Sequence, residues 1–184
     1  AARSRDQAAI LFELAAKMVR MSPDLSSVVV IRDTAKELMC SELGSIYKAL
    51  SADAATKYGL SPAVVIHDEL GQVKGPRDEL YEALETAGAA QETPLSIVIS
   101  TQAPTDADLF SVWLDDAERS ADPAIVSHVY TAAEDCELDD ETAWRAANPA
   151  LDLFRSRRDV EEQAAQAELE LKQQEMQQLQ HRIK

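Results

Sequence analysis

The sequence predicts an α/β domain with a largely parallel sheet flanked by helices, followed by a long C-terminal helix. Two patterns predict it. Short β-branched, apolar runs at "VVVI", "AVVIH" and "LSIVIS" alternate with helix-forming segments, the order that lays helices over a mainly parallel sheet. From Arg157 onward the chain contains no glycine or proline and is rich in alanine, glutamate and glutamine, which specifies one long helix.

Each element follows in order. Residues 5 to 21 place Ile10, Leu11, Leu14, Ala15, Met18 and Met21 on one side of a helix, and Pro23 ends it because proline disfavours helical geometry at Ser22. Val28 to Ile31 form a short strand. "KELMCSELGSIYKALSA" reads as two short strands around a turn at Ser41 to Gly44, where Gly44 can take a positive φ. The next strand is Ala63 to His67, and Pro76 sits in the first turn of a helix running to about Ala90. Leu95 to Ser100 or Thr101 is another strand, and a helix capped by Thr105 or Asp106 follows. "PAIVSHVYTA" offers a further strand. "LDDETAWRAANP" is a short helix capped by Asp139 or Asp140 and stopped before Pro149. In the final helix Val160, Ala164, Ala167, Leu171, Met176, Leu179 and Ile183 recur too irregularly for a coiled-coil seam.

Composition narrows the function. With 184 residues the chain is long enough for a real core. No apolar run approaches the roughly 18 residues of a membrane helix, and the opening segment lacks the regional pattern of a signal peptide. Cys40 and Cys136 are far apart and suggest neither a disulfide framework nor a zinc cluster, so reduced thiols of a cytosolic protein are expected. A formal net charge of −15 is the wrong sign for a free-standing nucleic-acid binder, and the chain by itself is expected to hold DNA weakly.

The chemistry centres on "AVVIHDELGQ". An apolar strand that stops at Asp68 and Glu69 is either a helix-starting turn or the metal and water end of a nucleotide-hydrolysing site. In such sites a carboxylate at the carboxyl end of a buried strand holds Mg²⁺, and its neighbour polarises the attacking water. Ser100, Thr101 and Gln102 close the next apolar run with hydroxyl and amide groups able to bond a phosphate or a neighbouring carboxylate, although a Ser-Thr pair there also marks a turn. None of the five glycines belongs to a G-x-x-x-x-G-K-[ST] phosphate loop. His67, His128 and His181 lack metal-ligand spacing and read as structural or exposed. The acidic clusters "DDAER" and "EDCELDDE" read as solvated faces and helix starts.

Taken in order, "RDQAAILFELAAKMV", "YKALSADAATKYGLSPAVVIHDEL", "LYEALETAGAAQETPLSIVIST" and "DDETAWRAANPAL" resemble the ATPase domain of tailed-bacteriophage large terminase subunits over most of residues 3 to 152. The resemblance implies an incomplete P-loop NTPase-type fold. It implies a partial packaging-motor domain at 1–152 and, at 153–184, a helical segment leading toward a nuclease domain. Asp68 looks like the Mg²⁺-associated carboxylate of the Walker B strand, and Glu69 like the catalytic carboxylate that orients water. Ser100, Thr101 and Gln102 look like the nucleotide-sensing coupling motif, with Gln102 and Ala103 departing from the small residue and glycine usual there. "SRDQA" resembles the segment after the family's second core strand, so the phosphate-binding loop is expected before Ala1. Arg3, Arg5 and Arg32 are all candidates for an arginine finger, and the sequence selects none.

The resemblance further implies ATP and Mg²⁺ as cofactors of the intact protein. Its implied partners are double-stranded DNA, the portal, the small terminase subunit and further copies of itself, in the cytoplasm of the bacterial host. The chain alone is expected to bind ATP weakly and to turn it over negligibly. Two other readings stand beside this one: a non-catalytic interaction or oligomerisation module built on the acidic surface and the C-terminal helix, and half of a helicase-like ATPase. "ALSADA" and "AW..ANP" argue against the helicase.

Overall fold

A computed structural model of the chain describes residues 1–2, 4–51, 59–133 and 135–183. It contains two compact units, Ala1–Ile125 and Val126–Lys184. The second half of "ALSADA", residues 52–54, falls outside the described residues, as do Arg3 and Glu134.

The first unit opens with helix α1, Arg5–Met21. Ser4 caps it through a reciprocal pair of bonds: the Gln7 N–H donates to the Ser4 hydroxyl at 3.2 Å, and the Ser4 N–H donates to the Gln7 side-chain oxygen at 3.2 Å. Its covered stripe is Ala8, Phe12, Ala16 and Val19, whereas Ile10, Leu14, Met18 and Met21 are exposed. The face anticipated from the sequence is therefore the outer one. α1 carries two apolar stripes about half a turn apart, and periodicity alone does not choose between them. Pro23 ends α1 and at once occupies the first position of a second helix, α2 (Pro23–Val28). Ser22, in extended geometry, serves both ends, and its hydroxyl accepts from the Leu25 N–H.

Strands β1 (Val29–Arg32), β2 (Glu37–Cys40) and β3 (Ser45–Lys48) form an antiparallel meander. The expected hairpin is β2–β3, with Cys40 opposite Ser45 and Gly44 at φ 63° in the turn. β1 joins it with Val29 opposite Cys40.

Among the named strands the parallel pair is β4 (Val64–Asp68) and β5 (Leu95–Ile99), aligned with Val64 opposite Leu95 and Asp68 opposite Ile99, and isolated parallel bridges join Ala2 to Ser51 and Leu151 to Arg155. "Largely parallel" thus describes this sheet but not the meander, whose short turns permit only antiparallel neighbours. Ala1 extends the parallel sheet on the far edge of β4, where its amino group donates to the Ile66 carbonyl and its carbonyl accepts from the Asp68 N–H at 2.9 Å. Helix α3 (Glu79–Gly88) packs on β4, and Val65, Leu80, Leu84 and Leu50 form the core between them. The opposite face, formed by Val64, Ile66, Leu95, Ile97 and Ile99, is exposed.

Two helix starts differ from expectation. α3 begins at Glu79, after Asp78 accepts from the Tyr81 N–H at 2.8 Å, while Gly75 at φ 80° and Pro76 stay in the preceding turn. α4 (Leu109–Arg119) follows Asp108 rather than Thr105 or Asp106. The Asp108 carboxylate binds the Thr105 N–H and hydroxyl and the Gly75 N–H, which staples that turn instead of letting it coil.

The expected strand at 123–132 does not form: the Asp122 side chain accepts from the Ala124 N–H and starts a turn, and the second unit begins within this run, at Val126. α5 (Glu141–Ala147) is capped by Asp140, whose carboxylate accepts from the Thr142 N–H at 2.8 Å. α6 (Arg157–Ile183) starts at an ion-pair cluster in which Arg157 bridges Glu141 and Asp152, and Arg145 joins Asp152 at 2.8 Å. The described buried apolar residues of this unit are Ala143, Leu151 and Val160.

Candidate functional site

The carboxyl ends of β4 and β5 bring the candidate residues together. Alternation along β4 sends Val65 and His67 to the face covered by α3 and puts Asp68 on the open face with Val64 and Ile66. The Asp68 carboxylate is half-buried and lies close enough to the Ala1 amino group to interact with it electrostatically.

Glu69 leaves the strand in the left-handed region, at φ 58° and ψ 42°. A non-glycine residue holds that conformation only where its surroundings enforce it. Its N–H donates to the Ile99 carbonyl at 2.8 Å, adding one more rung beyond the strand ends, and the chain turns at once into a short 3₁₀ helix, Leu70–Gln72. The Glu69 side chain is thereby turned toward β5. Its Oε2 accepts from the Thr101 hydroxyl at 3.2 Å and, more distantly, from the Gln72 amide at 3.5 Å.

Ser100 is engaged differently. Its hydroxyl accepts from the Gly71 N–H at 2.7 Å and donates to the Thr101 carbonyl at 2.7 Å. Gln102 is exposed and makes no hydrogen bond to Asp68 or Glu69. Of the five candidates, Glu69, Ser100 and Thr101 are thus joined through hydrogen bonds between the two loops, Asp68 precedes them at the end of β4, and Gln102 stands at the margin. A groove of about 500 Å³ nearby is lined by Gln72, Lys74, Arg77, Asp78 and neighbours, and includes none of the five.

Two further groups support this end of the sheet. On the covered face, buried His67 donates from Nε2 to Glu85 at 2.9 Å, and the same Glu85 oxygen accepts from the Ser96 hydroxyl of β5 at 2.7 Å. One carboxylate on α3 therefore ties together both strands. Desolvation pushes the His67 pKa down, with the Glu85 bond pulling the other way, and the ring is neutral at pH 7. The second group is the Asp108 staple, whose bonds from the Gly75 and Thr105 groups hold its carboxyl below the usual carboxylate range. Neither was singled out as part of the site from sequence. A histidine inside an apolar run just before an acidic pair was the available signal for the first, and Gly75 with Asp108, remote in sequence, offered none.

The donor set suits a particular kind of metal site. Among the described residues no group of three or more His, Cys, Asp and Glu side chains could cage an ion. A single carboxylate such as Asp68 is compatible with Mg²⁺ instead, because that ion is held by one or two carboxylates together with water and substrate phosphates.

Comparisons with known proteins identify the family. The family model described as "Terminase large subunit, ATPase domain" matches residues 1–117. The large terminase subunit of Enterobacteria phage HK97 is 52% identical over 166 residues, covering 90% of this chain and 33% of the relative. The crystal structure of the HK97 bacteriophage large terminase superposes with a TM-score of 0.86 at 52% identity, covering 90% of this chain and 35% of that one. The chain spans about a third of the length of these relatives. It belongs to the family of terminase large subunits, with residues 1–117 matching their ATPase domain.

Proposed function

We propose that this chain is the carboxylate-bearing part of a viral DNA-packaging ATPase, in which Asp68 holds Mg²⁺ and Glu69 orients the water that attacks the γ-phosphate of ATP. The observation that carries the reading is the meeting of Glu69 and Thr101 at the carboxyl ends of two adjacent parallel strands, in a chain of the terminase ATPase family. Ligands of parallel sheets gather beyond those strand ends.

Phosphoryl transfer asks little covalent chemistry of a protein, so the residues act by position and charge. Bound Mg²⁺ would neutralise charge developing on the phosphates, and Asp68 is the residue to hold it. Glu69 accepts a hydrogen bond from the attacking water and takes up its proton as the new P–O bond forms, while the bond from the γ-phosphorus to the β–γ bridging oxygen breaks and its electron pair leaves with ADP. The Thr101 hydroxyl keeps one Glu69 oxygen engaged, which leaves the other for the water. Ser100 serves the loop rather than the phosphate, because its hydroxyl is already committed at both ends. Gln102, at the margin of the group, is proposed as a nucleotide contact completed from the phosphate side.

The 184 residues contain no glycine-rich phosphate loop, and in this reading the phosphates are cradled by other parts of a full-length subunit. That subunit would act on double-stranded DNA in the bacterial cytoplasm with the portal, the small terminase subunit and copies of itself, and would cut concatemers with a separate nuclease domain. Residues 1–152 belong to the motor, and 153–184 lead toward the nuclease. No described helix is long and apolar enough to cross a membrane.

The test is Mg²⁺-dependent ATP hydrolysis by the full-length subunit. Glu69→Gln lowers kcat by about 10²–10⁴, the worth of a general base, while a fluorescent ATP analogue still binds. Hydrolysis that survives Glu69→Gln at the unmodified rate rejects the reading. The 184-residue chain alone is expected to show negligible turnover, and sustained hydrolysis that vanishes on Glu69→Gln would show it to be a complete site.

A further inference from the structure

Glu69 and the end of β5 are joined at a second point, one residue beyond the 3₁₀ turn's start. The Gly71 N–H donates to the Ser100 hydroxyl, and the same hydroxyl donates a hydrogen bond to the Thr101 carbonyl, each at 2.7 Å. Gly71 is buried, and the space where a β-carbon would sit is already taken. A Cβ built there would lie 2.2 Å from the Thr101 carbonyl oxygen, 2.8 Å from the Ser100 hydroxyl and 3.3 Å from the Ala103 nitrogen. The first of these partners is backbone and has no rotamer by which to retreat. Leu70 and Ala103 are buried as well.

The requirement for glycine here is one of approach rather than of dihedral angle. Gly71 is not among the positive-φ residues; Glu69 is. The strained residue and the closely approached residue are therefore separate. Glu69 takes up the left-handed conformation, and two residues on, the chain is pressed against the loop that carries Thr101. Relieving a 2.2 Å approach requires the loop to move by about an ångström, which would carry the Thr101 hydroxyl away from the Glu69 carboxylate, because Thr101 supplies both the blocking carbonyl and the donating hydroxyl.

We propose that Gly71 and Ser100 are positioning residues for Glu69. They lock the turn after β4 to the loop after β5 so that the two shift as one body and the Thr101 hydroxyl stays opposite the Glu69 carboxylate. The proposal rests on the reading of Glu69 as the water-orienting group. It assigns Ser100 a role distinct from contact with nucleotide, and brings in Gly71, which touches no reacting atom.

The experiment uses the full-length subunit and measures kcat and KM for ATP separately, with a thermal melt of each variant. Ser100→Ala removes the hydroxyl without adding bulk, and Gly71→Ala forces the loops apart. Ser100→Ala is expected to lower kcat by about tenfold, the worth of one well-placed hydrogen bond, with KM unchanged. Gly71→Ala is expected to lower kcat by about 10², as displaced catalytic groups do. The double variant should lose no more than Gly71→Ala alone, since the bond is already broken. Glu69→Gln in parallel separates the two claims. If it retains activity, the reading of Glu69 fails; if it is inactive while Ser100→Ala keeps full kcat, or loses activity only through a raised KM, the positioning role is overturned. Should Gly71→Ala fail to fold, Ser100→Ala decides alone.

Discussion

His67 Nε2 lies 2.9 Å from Glu85 Oε1, and this bond crosses from the strand that ends in Asp68 to the helix that covers it. Tyr81 flanks the ring at 4.9 Å between centroids. The charged groups that act on the imidazole are Glu85 and Asp78, which favour its protonation, and the Ala1 amino group, which opposes it; burial outweighs them and lowers its pKa. The sign of the pH effect follows. The unfolded chain takes up a proton on this histidine near its ordinary value of about 6.5, before the folded chain does. Stability from this residue is therefore complete above that value and declines as the pH falls through it. Urea unfolding at about pH 7.5 and about pH 5.5, either side of that value, should show a lower midpoint at the acidic condition. His67→Phe should flatten the difference, and an equal slope in the variant would count against this account.

Asp108 gives a pH effect in a lower window. Its carboxyl is held below its ordinary value by the Gly75 N–H first and the Thr105 hydroxyl next. The stabilisation is present above the unfolded value of about 3.9 and is lost as the pH falls through that value toward the lower folded one. Asp108→Asn is nearly isosteric but replaces an acceptor oxygen by an NH₂ group that must face an N–H donor. It should lower Tm at neutral pH by several degrees and weaken the fall of Tm with acid. A Tm unchanged at neutral pH would mean that the staple carries no stability.

The buried stripe of α1 rests on Phe12, which has 0% exposure, with the Lys36 ammonium 5.1 Å from its ring centre. Phe12→Ala removes a ring from a closed site and should cost about 3–5 kcal/mol. Lys36→Gln removes a half-exposed cation and should cost about 0.5–1 kcal/mol. Chemical denaturation of both variants checks the ratio. A Phe12→Ala cost as small as that of Lys36→Gln would place the core elsewhere.

How much of this was legible in the sequence depended on whether the cause was local. The β2–β3 turn at Ser41 to Gly44 and the cap at Asp140 are written in adjacent residues, and both stand where the sequence put them. The parallel strands ending at Asp68 and Ile99 were legible because long apolar runs at an acidic or hydroxyl stop leave few alternatives. The misplaced starts of α3 and α4 share one remote cause: Asp108 binds Gly75, 33 residues away, and the two turns hold each other out of the helices. Pro23 was read only as a stop because its second property, a fixed φ suited to a first helical position, needs Ser22 to be extended. At the candidate site the residue types and their neighbourhood were readable. The left-handed backbone of Glu69 and the close approach at Gly71 were not, since both arise from packing between segments about 30 residues apart.

The final helix tests how an element with little apolar surface is held. Val160, in the first turn of α6, is 6% exposed, whereas Leu169, more than two turns on, is 57% exposed. Between them the side chains are mostly glutamate, glutamine and alanine, with Arg158 paired to Glu162 and no continuous apolar stripe. A helix of this kind gains little from packing along its length and depends on its anchored end. Val160→Ala should therefore cost about 1–2 kcal/mol as a small core deletion, and Leu169→Ala should stay within about 0.5 kcal/mol, as exposed substitutions do. Amide exchange should follow the same gradient, slow near Val160 and faster toward Leu169, because opening the distal turns uncovers no core. If Leu169→Ala proved as costly as Val160→Ala, the outer face of α6 would have to be covered by a partner, and light scattering of the two variants would then show a change in association for Leu169→Ala alone.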